Sequence, residues 1–414
     1  MKKYLIPITL ILFYSCGKSG GSKPTVPSVT TSSITNITDT SATSGGTVTK
    51  TGGDPITACG LLYDTSASLK TAQVLSTVPG NGSFSLTING LPPGTTIYVQ
   101  AYADNSVGRG LGNTVQFTTT TPPPNGYTVT TYAGNGVAQM TDGPVLQASF
   151  ENPFGVAIDP TGVLYATEGS MTPNAGRIRR IGTDGNVTSL VTVGEAGLDI
   201  LLDATGNIYD LDYNRTLYKI SPAGVATPFA GNGVSTSTSV DGQGTAAGFS
   251  QPVSMDMDKN GNIFITQAKS IRKVTPSGYV STLPLTATTN FLGIAVDQSD
   301  NIYVADGYNI EKTDTLGHMT VIAGSAQGLS NSILELRLDH NGNLIASDAG
   351  DYKIRLITPS GTVTTIAGTG VKGDKDGPGL QAMFNQPSGL AIDASNNIFV
   401  TDVGSNKIKK ITHN

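Results

Sequence analysis

A sequence repeat occurs six times along this chain, and it restricts the possible folds more than any other feature. Each copy ends an apolar run with an aspartate, continues through a short turn, and resumes with an apolar segment such as Asn-Ile-Tyr. The copies begin at Asp159, Asp203, Asp258, Asp297, Asp339 and Asp393. Their spacing of roughly 39 to 55 residues is typical of a four-stranded repeat with loops of variable length.

The copy at Asp339 shows the strands most clearly. One strand ends at Asp339, and three more are predicted at Asn343–Ser347, Lys353–Thr358 and Thr362–Ala367. β-Branched residues alternate along these segments, and Gly, Pro, Asn and Ser separate them. The repeat therefore predicts small antiparallel sheets of four strands. The repeated aspartates are expected to cap the turns that follow them.

The two ends of the repeat region are incomplete in complementary ways. Tyr127–Ala133 matches the last strand of a copy but has no preceding strands, and the copy at Asp393 stops after its third strand. We expect Tyr127–Ala133 to pair with Ile408–Thr412, which closes a ring and removes exposed sheet edges.

These motifs resemble the NHL-repeat β-propellers. The resemblance covers Tyr127 to the C-terminus, and it implies six blades over residues 127–414, one of them built from both ends of the region. Three connections between copies are long and share an Asp-Gly followed by an Ala-x-Phe motif. Their phenylalanines, Phe150, Phe249 and Phe384, are expected to plug the spaces between blades.

Residues 25–121 form a separate unit rich in Thr, Ser, Val and Gly. Strand-length runs are predicted at Ile34–Ile37, Ser41–Lys50, Ile56–Tyr63, Gly82–Ile88, Thr96–Asn105 and Asn113–Thr119. The segment from Gly82 to Gly108 resembles fibronectin type III-like modules of Bacteroidetes surface lipoproteins. This resemblance implies a β-sandwich with Leu91 and Tyr98 in its core. The whole chain is then all-β: a sandwich followed by a propeller.

The N-terminus has the features of a lipoprotein signal. Residues 1–15 combine two lysines with a short apolar segment, and Cys16 stands in a context that resembles a bacterial lipobox. We expect acylation of Cys16, a flexible tether over residues 16–24, and a Pro-rich linker at 122–126. Lipid chains alone would then hold the protein at the outer membrane, on the periplasmic or the outer surface. Cys59, in an alternating strand, is expected to be a buried core residue.

Composition excludes one class of partner. The net charge of −5 indicates that the protein lacks the basic surface needed to bind nucleic acid or anionic lipid. We therefore expect no nucleic-acid binding. We also expect a monomer whose ligand is a glycan or another envelope protein.

Candidate ligand-binding residues are those that do not repeat on one predicted face. In a propeller, the second-to-third-strand loops and the connections between blades share a face. Acidic, aromatic and amide side chains there suit sugars or a hard cation such as Ca²⁺. The candidates are Phe154, Glu168, Arg177, Tyr213, Arg215, Tyr308 and Tyr352. The recurring Asp306, Asp348, Asp402, Arg179, Arg272 and Arg355 are expected to be structural.

An enzymatic alternative remains open. NHL-like propellers include His-dependent lyases, but this chain has only His318, His340 and His413, and the first two fall in turns of the opposite face. Lactonase-type propellers use acidic metal ligands, so a hydrolase or lyase with a metal ion in the central channel is the alternative to a binding module. No catalytic residue is assigned from the sequence.

Overall fold

The computed structural model describes residues 23–38, 40–92, 94–119, 126–169, 174–234, 239–285, 289–314 and 316–413. The chain divides into two compact units, Met1–Pro122 and Pro123–Asn414. The predicted signal peptide, the acylation site Cys16 and nearly all of the predicted linker lie outside the described residues. Among the described residues, no helix has the length and hydrophobicity needed to cross a membrane.

The first unit contains two antiparallel sheets. Their strand orders are β1-β2-β5 and β4-β3-β6-β7. The strands are β1 (Ser28–Thr31), β2 (Ser41–Lys50), β3 (Ala58–Asp64), β4 (Gln73–Thr77), β5 (Gly82–Asn89), β6 (Thr96–Asn105) and β7 (Gly108–Thr118). The run Ile34–Ile37 forms no strand, and the edge position of the first sheet is taken by β1 instead.

Both sheets of the first unit contribute to one hydrophobic core. It includes Cys59 and Leu91, as the sequence predicts. The prediction for Tyr98 is wrong: its neighbours Ile97 and Val99 are the buried core residues, and Tyr98 is only half-buried. Side chains alternate between the faces of a strand, so Ile97 and Val99 in the core place Tyr98 on the other face.

Short strands are the main regular elements of the second unit. They are β8 (Tyr127–Ala133), β9 (Gly143–Pro144), β10 (Val156–Ile158), β11 (Leu164–Glu168), β12 (Gly176–Ile181), β13 (Asn186–Val193), β14 (Gly197–Leu202), β15 (Ile208–Asp212), β16 (Leu217–Ile220), β17 (Ala226–Ala230), β18 (Gly242–Gln243), β19 (Pro252–Met257), β20 (Ile263–Gln267), β21 (Ser270–Val274), β22 (Tyr279–Thr282), β23 (Phe291–Val296), β24 (Ile302–Asp306), β25 (Asn309–Thr313), β26 (Met319–Ala323), β27 (Ile333–Leu338), β28 (Leu344–Asp348), β29 (Lys353–Ile357), β30 (Val363–Ala367), β31 (Gly377–Pro378), β32 (Pro387–Ile392), β33 (Ile398–Asp402) and β34 (Lys407–His413). Single 3₁₀ turns lie at Gly244–Ala246, Ser325–Gln327, Ala349–Asp351, Gly379–Gln381 and Val403–Ser405.

These strands form six antiparallel sheets among the described residues, which we number in chain order. Their strand orders are β10-β11-β12-β13-β9 (sheet 1), β14-β15-β16-β17 (sheet 2), β19-β20-β21-β22-β18 (sheet 3), β23-β24-β25-β26 (sheet 4), β27-β28-β29-β30 (sheet 5) and β32-β33-β34-β8-β31 (sheet 6). The strands of sheet 5 agree with those predicted from the copy at Asp339 to within about one residue at each end.

The repeated aspartates cap turns, as the sequence predicts. In the copy at Asp339, its Oδ1 accepts the backbone N–H groups of Asn341 and Asn343, at 2.9 and 2.8 Å. The other five aspartates accept the equivalent pair of N–H groups. Each aspartate therefore fixes the turn between the first and second strands of its sheet.

The six sheets are arranged in a ring. The first strand of each sheet, here called its inner strand, contacts the inner strand of the next sheet, and β32 of sheet 6 contacts β10 of sheet 1. At that junction Gly389 donates its N–H to the carbonyl of Phe154, at 2.9 Å. A hydrophobic core fills each of the six interfaces between consecutive sheets.

Sheet 6 combines both ends of the repeat region. Strand β8 pairs with β34 in antiparallel register, with Ile411 opposite Val129 and Ile408 opposite Ala133. This is the pairing that the two incomplete copies predict. Because β8 joins sheet 6 on the side away from its inner strand, the inner strand β32 remains in contact with β10 of sheet 1.

The long connections are anchored by a buried cation and a phenylalanine. Phe150, Phe249 and Phe384 are fully buried. A cation from the third strand of the same sheet lies over each ring and also pairs with the Asp-Gly aspartate of the connection. The three sets are Arg179 with Phe150 and Asp142, Arg272 with Phe249 and Asp241, and Lys409 with Phe384 and Asp376. The recurring arginines at these positions are therefore structural.

Candidate functional site

A second repeated bond explains the residue that ends the second strand in five of the six sheets. Asp348 of sheet 5 instead accepts from Arg355. Glu168 ends β11 and accepts the backbone N–H of Glu151, 17 residues earlier, at 3.0 Å. The same bond, over the same separation, is made by Asp212, Gln267, Asp306 and Asp402. Glu168 is fully buried and also pairs with Arg179. It therefore holds the incoming connection and has no surface on which to bind a ligand.

The copies disagree most at one position of the inner strands, four residues before the turn aspartate. Sheets 1, 4 and 6 have glycine there, and a Cβ on Gly155 would lie only 2.8 Å from Cα of Asp199 in the next inner strand. Sheets 2, 3 and 5 have the polar residues Asp199, Ser254 and Glu335 at the same position. These three side chains are almost fully buried.

These residues and their neighbours form a polar network between the inner strands. The Ser254 hydroxyl lies 3.2 Å from Oδ2 of Asp199 and 3.2 Å from each carboxylate oxygen of Glu335. Arg337 donates to Glu335 on its own strand and to Asp199, at 3.2 Å, from sheet 5 to sheet 2. We call Asp199, Ser254, Asp256, Glu335 and Arg337 the inner-strand cluster. It ties sheets 2, 3 and 5 to one another.

Burial dominates the electrostatics of the cluster. Burial raises the pKa of Glu335 well above its usual range, and the guanidinium of Arg337 opposes this effect without cancelling it. Burial likewise raises the pKa of Asp256. Burial acts to lower the pKa of Arg337, but the nearby carboxylates together outweigh burial and raise this pKa, so the charge of Arg337 is retained. The cluster therefore holds one permanent cation beside the carboxyl groups of Glu335 and Asp256, whose ionisation is costly.

The cluster does not fit a metal centre. Oδ2 of Asp199 accepts the N–H of Met255 at 2.7 Å, and Oδ2 of Asp256 accepts the N–H of Val296 at 2.7 Å. Arg337 supplies the positive charge that a metal ion would otherwise supply. Within the described ranges, no three or more His, Cys, Asp or Glu side chains are grouped so that they could hold a metal ion.

A cavity of about 570 Å³ opens between sheets 2 and 3, and we call it cavity 1. Its lining includes Tyr213 and Arg215 from the loop after β15, Glu195 from the connection before β14, and Gln251 from the connection before β19. Leu198 and Val253 also line it, and each directly precedes a residue of the inner-strand cluster. The cavity is therefore at the end of the ring where the inner strands begin.

Several polar groups in cavity 1 have no assigned structural role. Tyr213 is 43% exposed. Among the described residues, no hydrogen bond is made by the Tyr213 hydroxyl, the Glu195 carboxylate or the Gln251 amide. Asn214 differs, because its Oδ1 accepts the N–H of Thr216 at 3.0 Å. An exposed aromatic ring beside a carboxylate, an amide and a guanidinium can stack on a sugar ring and hydrogen-bond to its hydroxyl groups.

A second cavity, of about 430 Å³, lies between sheets 4 and 5 and is called cavity 2. It is lined by Tyr308, which is 53% exposed, and by Asn290, Asn309 and Asn331. Asp306 also lines it, but its carboxylate is bound to the backbone N–H of Thr289, at 3.1 Å. The aromatic and amide groups of cavity 2 thus surround a structural carboxylate.

The structure brings together only some of the candidates from the sequence. Tyr213 and Arg215 share cavity 1, and Tyr308 lines cavity 2. Phe154 is half-buried at the start of the inner strand of sheet 1, away from both cavities. Arg177 is half-buried opposite Glu168 and donates to the carbonyl of Met140, at 3.4 Å.

Tyr352 lies at a position that repeats. It follows the 3₁₀ turn Ala349–Asp351 with φ of 54°, and Asn406 follows the equivalent turn in sheet 6 with φ of 53°. Both residues adopt the left-handed backbone that closes such a turn. Tyr352 therefore has a structural role in the repeat, and it lines neither cavity.

Sequence reasoning missed several residues of these sites. Glu195, Asn309 and Asn331 lie in connections or at strand ends, where no repeated pattern marks them. Gln251 and Asn290 align with Asn152 and Gln386, so an amide residue recurs directly before the inner strand. The inner-strand cluster had a detectable signal, because Asp199, Ser254 and Glu335 align with glycines in the other copies. Glu168 aligns with Asp306 in the same way, which would have identified it as a repeated residue.

One repeat matches a known family model. Residues 384–411 match the model described as NHL repeat. Among curated proteins, Teneurin-4 of Mus musculus is 25% identical over 227 residues, which is 42% of this chain and 8% of Teneurin-4. The chain thus spans only a small part of the curated relatives it matches.

Solved structures share the fold over a larger part of the chain. An auxiliary nutrient binding protein from Bacteroides ovatus is 16% identical, with a TM-score of 0.58, covering 93% of this chain and 98% of that one. A gluconolactonase from Xanthomonas campestris is 13% identical, with a TM-score of 0.50, covering 70% of this chain and 91% of that one. At these identities the likeness concerns the fold alone. The repeat match and these structures together support an all-β protein with an NHL β-propeller.

Proposed function

We propose that this chain is a cell-envelope lipoprotein whose six-bladed NHL propeller binds a glycan in cavity 1. The observation that carries the proposal is the grouping of Tyr213, Arg215, Glu195 and Gln251 around one open cavity. Sugar rings stack on aromatic faces, and their hydroxyl groups pair with carboxylate, amide and guanidinium groups. A concave, polar cavity of this kind suits a small ligand better than a flat protein surface.

The six-bladed assignment is supported by the contacts of the sheets. Six cores fill the interfaces between consecutive sheets, including the one between sheet 6 and sheet 1. Strand β8 from the start of the unit completes sheet 6. Each sheet is then one blade, and the ring is closed by strands from both ends of the unit.

The first unit is proposed to be a fibronectin type III-like sandwich that acts as a spacer. Its seven strands lie in two sheets that share one core. We further propose that Cys16 is acylated and holds the protein at the outer membrane. Metabolic labelling with an alkyne fatty acid should mark the wild-type protein but not Cys16→Ser, whereas equal labelling of both would refute acylation of this residue.

A binding role is also consistent with one neighbour of the same fold, the auxiliary nutrient binding protein from Bacteroides ovatus. The alternative, a hydrolase or lyase with a metal ion in the channel, has weaker support from the residues present. The carboxylates of the inner-strand cluster are committed to Arg337, Ser254 and backbone N–H groups. We therefore propose binding and not metal-assisted catalysis.

The test is a glycan array followed by isothermal titration calorimetry. Wild-type protein should bind at least one neutral glycan, and Tyr213→Ala should weaken that binding by about tenfold or more, because the stacking surface is lost. Tyr279→Ala is the matched control, since Tyr279 is similarly exposed, at 47%, but lines neither cavity. Equal affinity of Tyr213→Ala and wild type would exclude cavity 1 as the site.

A further inference from the structure

Cavity 2 has the chemistry of a second sugar site. Tyr308 offers an exposed ring, and the side-chain amides of Asn290, Asn309 and Asn331 make no hydrogen bond to any described residue. Each amide can both donate and accept, so three of them can pair with the hydroxyl groups of a sugar without carrying charge. The carboxylate of Asp306 in the same cavity is already bound to Thr289. A neutral hexose or pentose therefore suits this cavity better than a charged ligand.

The repeat does not explain all of the uncommitted groups in cavity 2. Asn290 aligns with Asn152, Gln251 and Gln386 in other connections, but Tyr308 and Asn309 have no such counterpart. Tyr308 occupies a loop where the other sheets carry different residues, and Asn331 belongs to a connection with no counterpart motif. Structural positions of this protein recur from sheet to sheet, as the bond from Thr289 to Asp306 does. Uncommitted polar groups that do not recur point to a ligand.

The two cavities lie at the same end of the ring and on neighbouring inner strands. Val253 lines cavity 1 and Leu292 lines cavity 2, and both stand five residues before the turn aspartate of their sheet. Their strands, β19 and β23, contact each other, and β19 also contacts β14, which carries Leu198 of cavity 1. Leu198, Val253 and Leu292 thus form an apolar arc that leads from one cavity to the other.

We propose that cavities 1 and 2 are subsites of one extended surface, and that the ligand is a neutral oligosaccharide long enough to occupy both. This inference rests on the proposed function and adds the ligand's length and the second site. The arc of Leu198, Val253 and Leu292 provides the apolar face over which a sugar chain passes between the subsites. An oligosaccharide that occupies both subsites binds more tightly than a single sugar, because once one end is bound the other end binds intramolecularly.

The experiment is calorimetric titration with oligosaccharide ladders from the disaccharide to the hexasaccharide. The probes are β-1,4-linked glucose, β-1,4-linked xylose, α-1,4-linked glucose and α-1,6-linked mannose. For the ladder that binds, affinity should rise by about tenfold or more once the chain reaches both subsites. Tyr308→Ala should remove that gain and leave binding of the shortest oligosaccharide unchanged. Asn331→Ala, on a different connection, should weaken long oligosaccharides in the same way.

Controls separate this inference from the proposed function. Tyr279→Ala should match wild type at every length, and the melting temperatures of all variants are compared to exclude unfolding. Binding that depends on Tyr213 but is the same for wild type and Tyr308→Ala at every length would overturn the extended surface and leave cavity 1 standing. If none of the ladders binds and no glycan on the array binds, both proposals are overturned.

Discussion

Arg337 and Asp199 form an ion pair that joins sheets 5 and 2, with Nη2 of Arg337 3.2 Å from Oδ1 of Asp199. The two residues are 138 positions apart in the chain. Both occupy inner-strand positions, and Asp199 is at a position where half of the sheets have glycine. The centre of the ring is therefore held by side chains that differ between copies, whereas the turns are held by side chains that repeat.

Removing the guanidinium should destabilise the propeller strongly. Arg337→Ala leaves the carboxyl groups of Asp199 and Glu335 buried without their cation, which we expect to lower the free energy of unfolding by about 3–5 kcal/mol. Urea denaturation followed by circular dichroism measures this change. Lys259→Ala is the matched control, because Lys259 and Asp300 form an exposed pair 3.4 Å apart. The control should change stability by less than about 1 kcal/mol.

A compensated variant distinguishes charge from packing. In the triple variant Asp199→Asn, Glu335→Gln and Arg337→Met, the side-chain volume is kept and the charges are removed. It should recover most of the stability lost in Arg337→Ala, since the two carboxylates that pair with Arg337 lose their charge together with it. If the triple variant is as unstable as Arg337→Ala, packing of the arginine stem and not its charge holds the cluster together.

Asp210 is a buried carboxyl group that the fold does not use. It is fully buried on β15, and neither carboxylate oxygen has a hydrogen-bond partner among the described residues. Val304 and Val400 occupy the same place in sheets 4 and 6. Asp210→Val should therefore raise the free energy of unfolding by about 1–3 kcal/mol, because an unsatisfied polar group is removed. The reverse substitution Val304→Asp should destabilise the protein, and a loss of stability in Asp210→Val would show that this carboxyl group has a partner in solution.

Asp212 should give the propeller a specific dependence on pH. Burial raises the pKa of Asp212 from 3.8 to about 6, and the N–H groups of Asn214 and Glu195 only partly oppose this effect. Between these values the folded protein holds a proton that the unfolded chain has released. The stability contributed by this group therefore falls as pH rises from about 4 to about 6, by about 3 kcal/mol in total.

Asp212→Asn removes this titration and keeps an oxygen that can accept the N–H of Glu195. We expect the stability of the variant relative to wild type to increase across the same window of pH. Urea midpoints at several pH values between about pH 4 and pH 7 measure the difference. Curves for the two proteins that run parallel across that range would mean that Asp212 does not titrate there.

The repeat was readable from the sequence because its physical causes are local. The turn at Asp339 depends on residues only two and four positions further on, so the pattern that makes the turn is visible in the sequence. The pairing of β8 with β34 was also predictable, because each end of the unit lacks what the other supplies. These features organise the sheets and say little about function.

The sites were less predictable because they depend on contacts between distant copies. The pairing of Arg337 with Asp199 requires knowledge of which inner strands face each other across the ring. The sequence analysis predicts Glu168 as a ligand-binding candidate that does not repeat, whereas it makes the bond to a residue 17 positions earlier that other sheets also make. The resemblance to fibronectin type III-like modules predicts Tyr98 in the core, whereas the alternation of β6 puts Ile97 and Val99 there.

A crystal structure of the protein with the oligosaccharide that binds most tightly tests whether the propeller binds a glycan in cavity 1. We expect a sugar ring stacked on Tyr213, with its hydroxyl groups hydrogen-bonded to Glu195 or Arg215. A sugar bound elsewhere on the protein, with cavity 1 unoccupied, would contradict it.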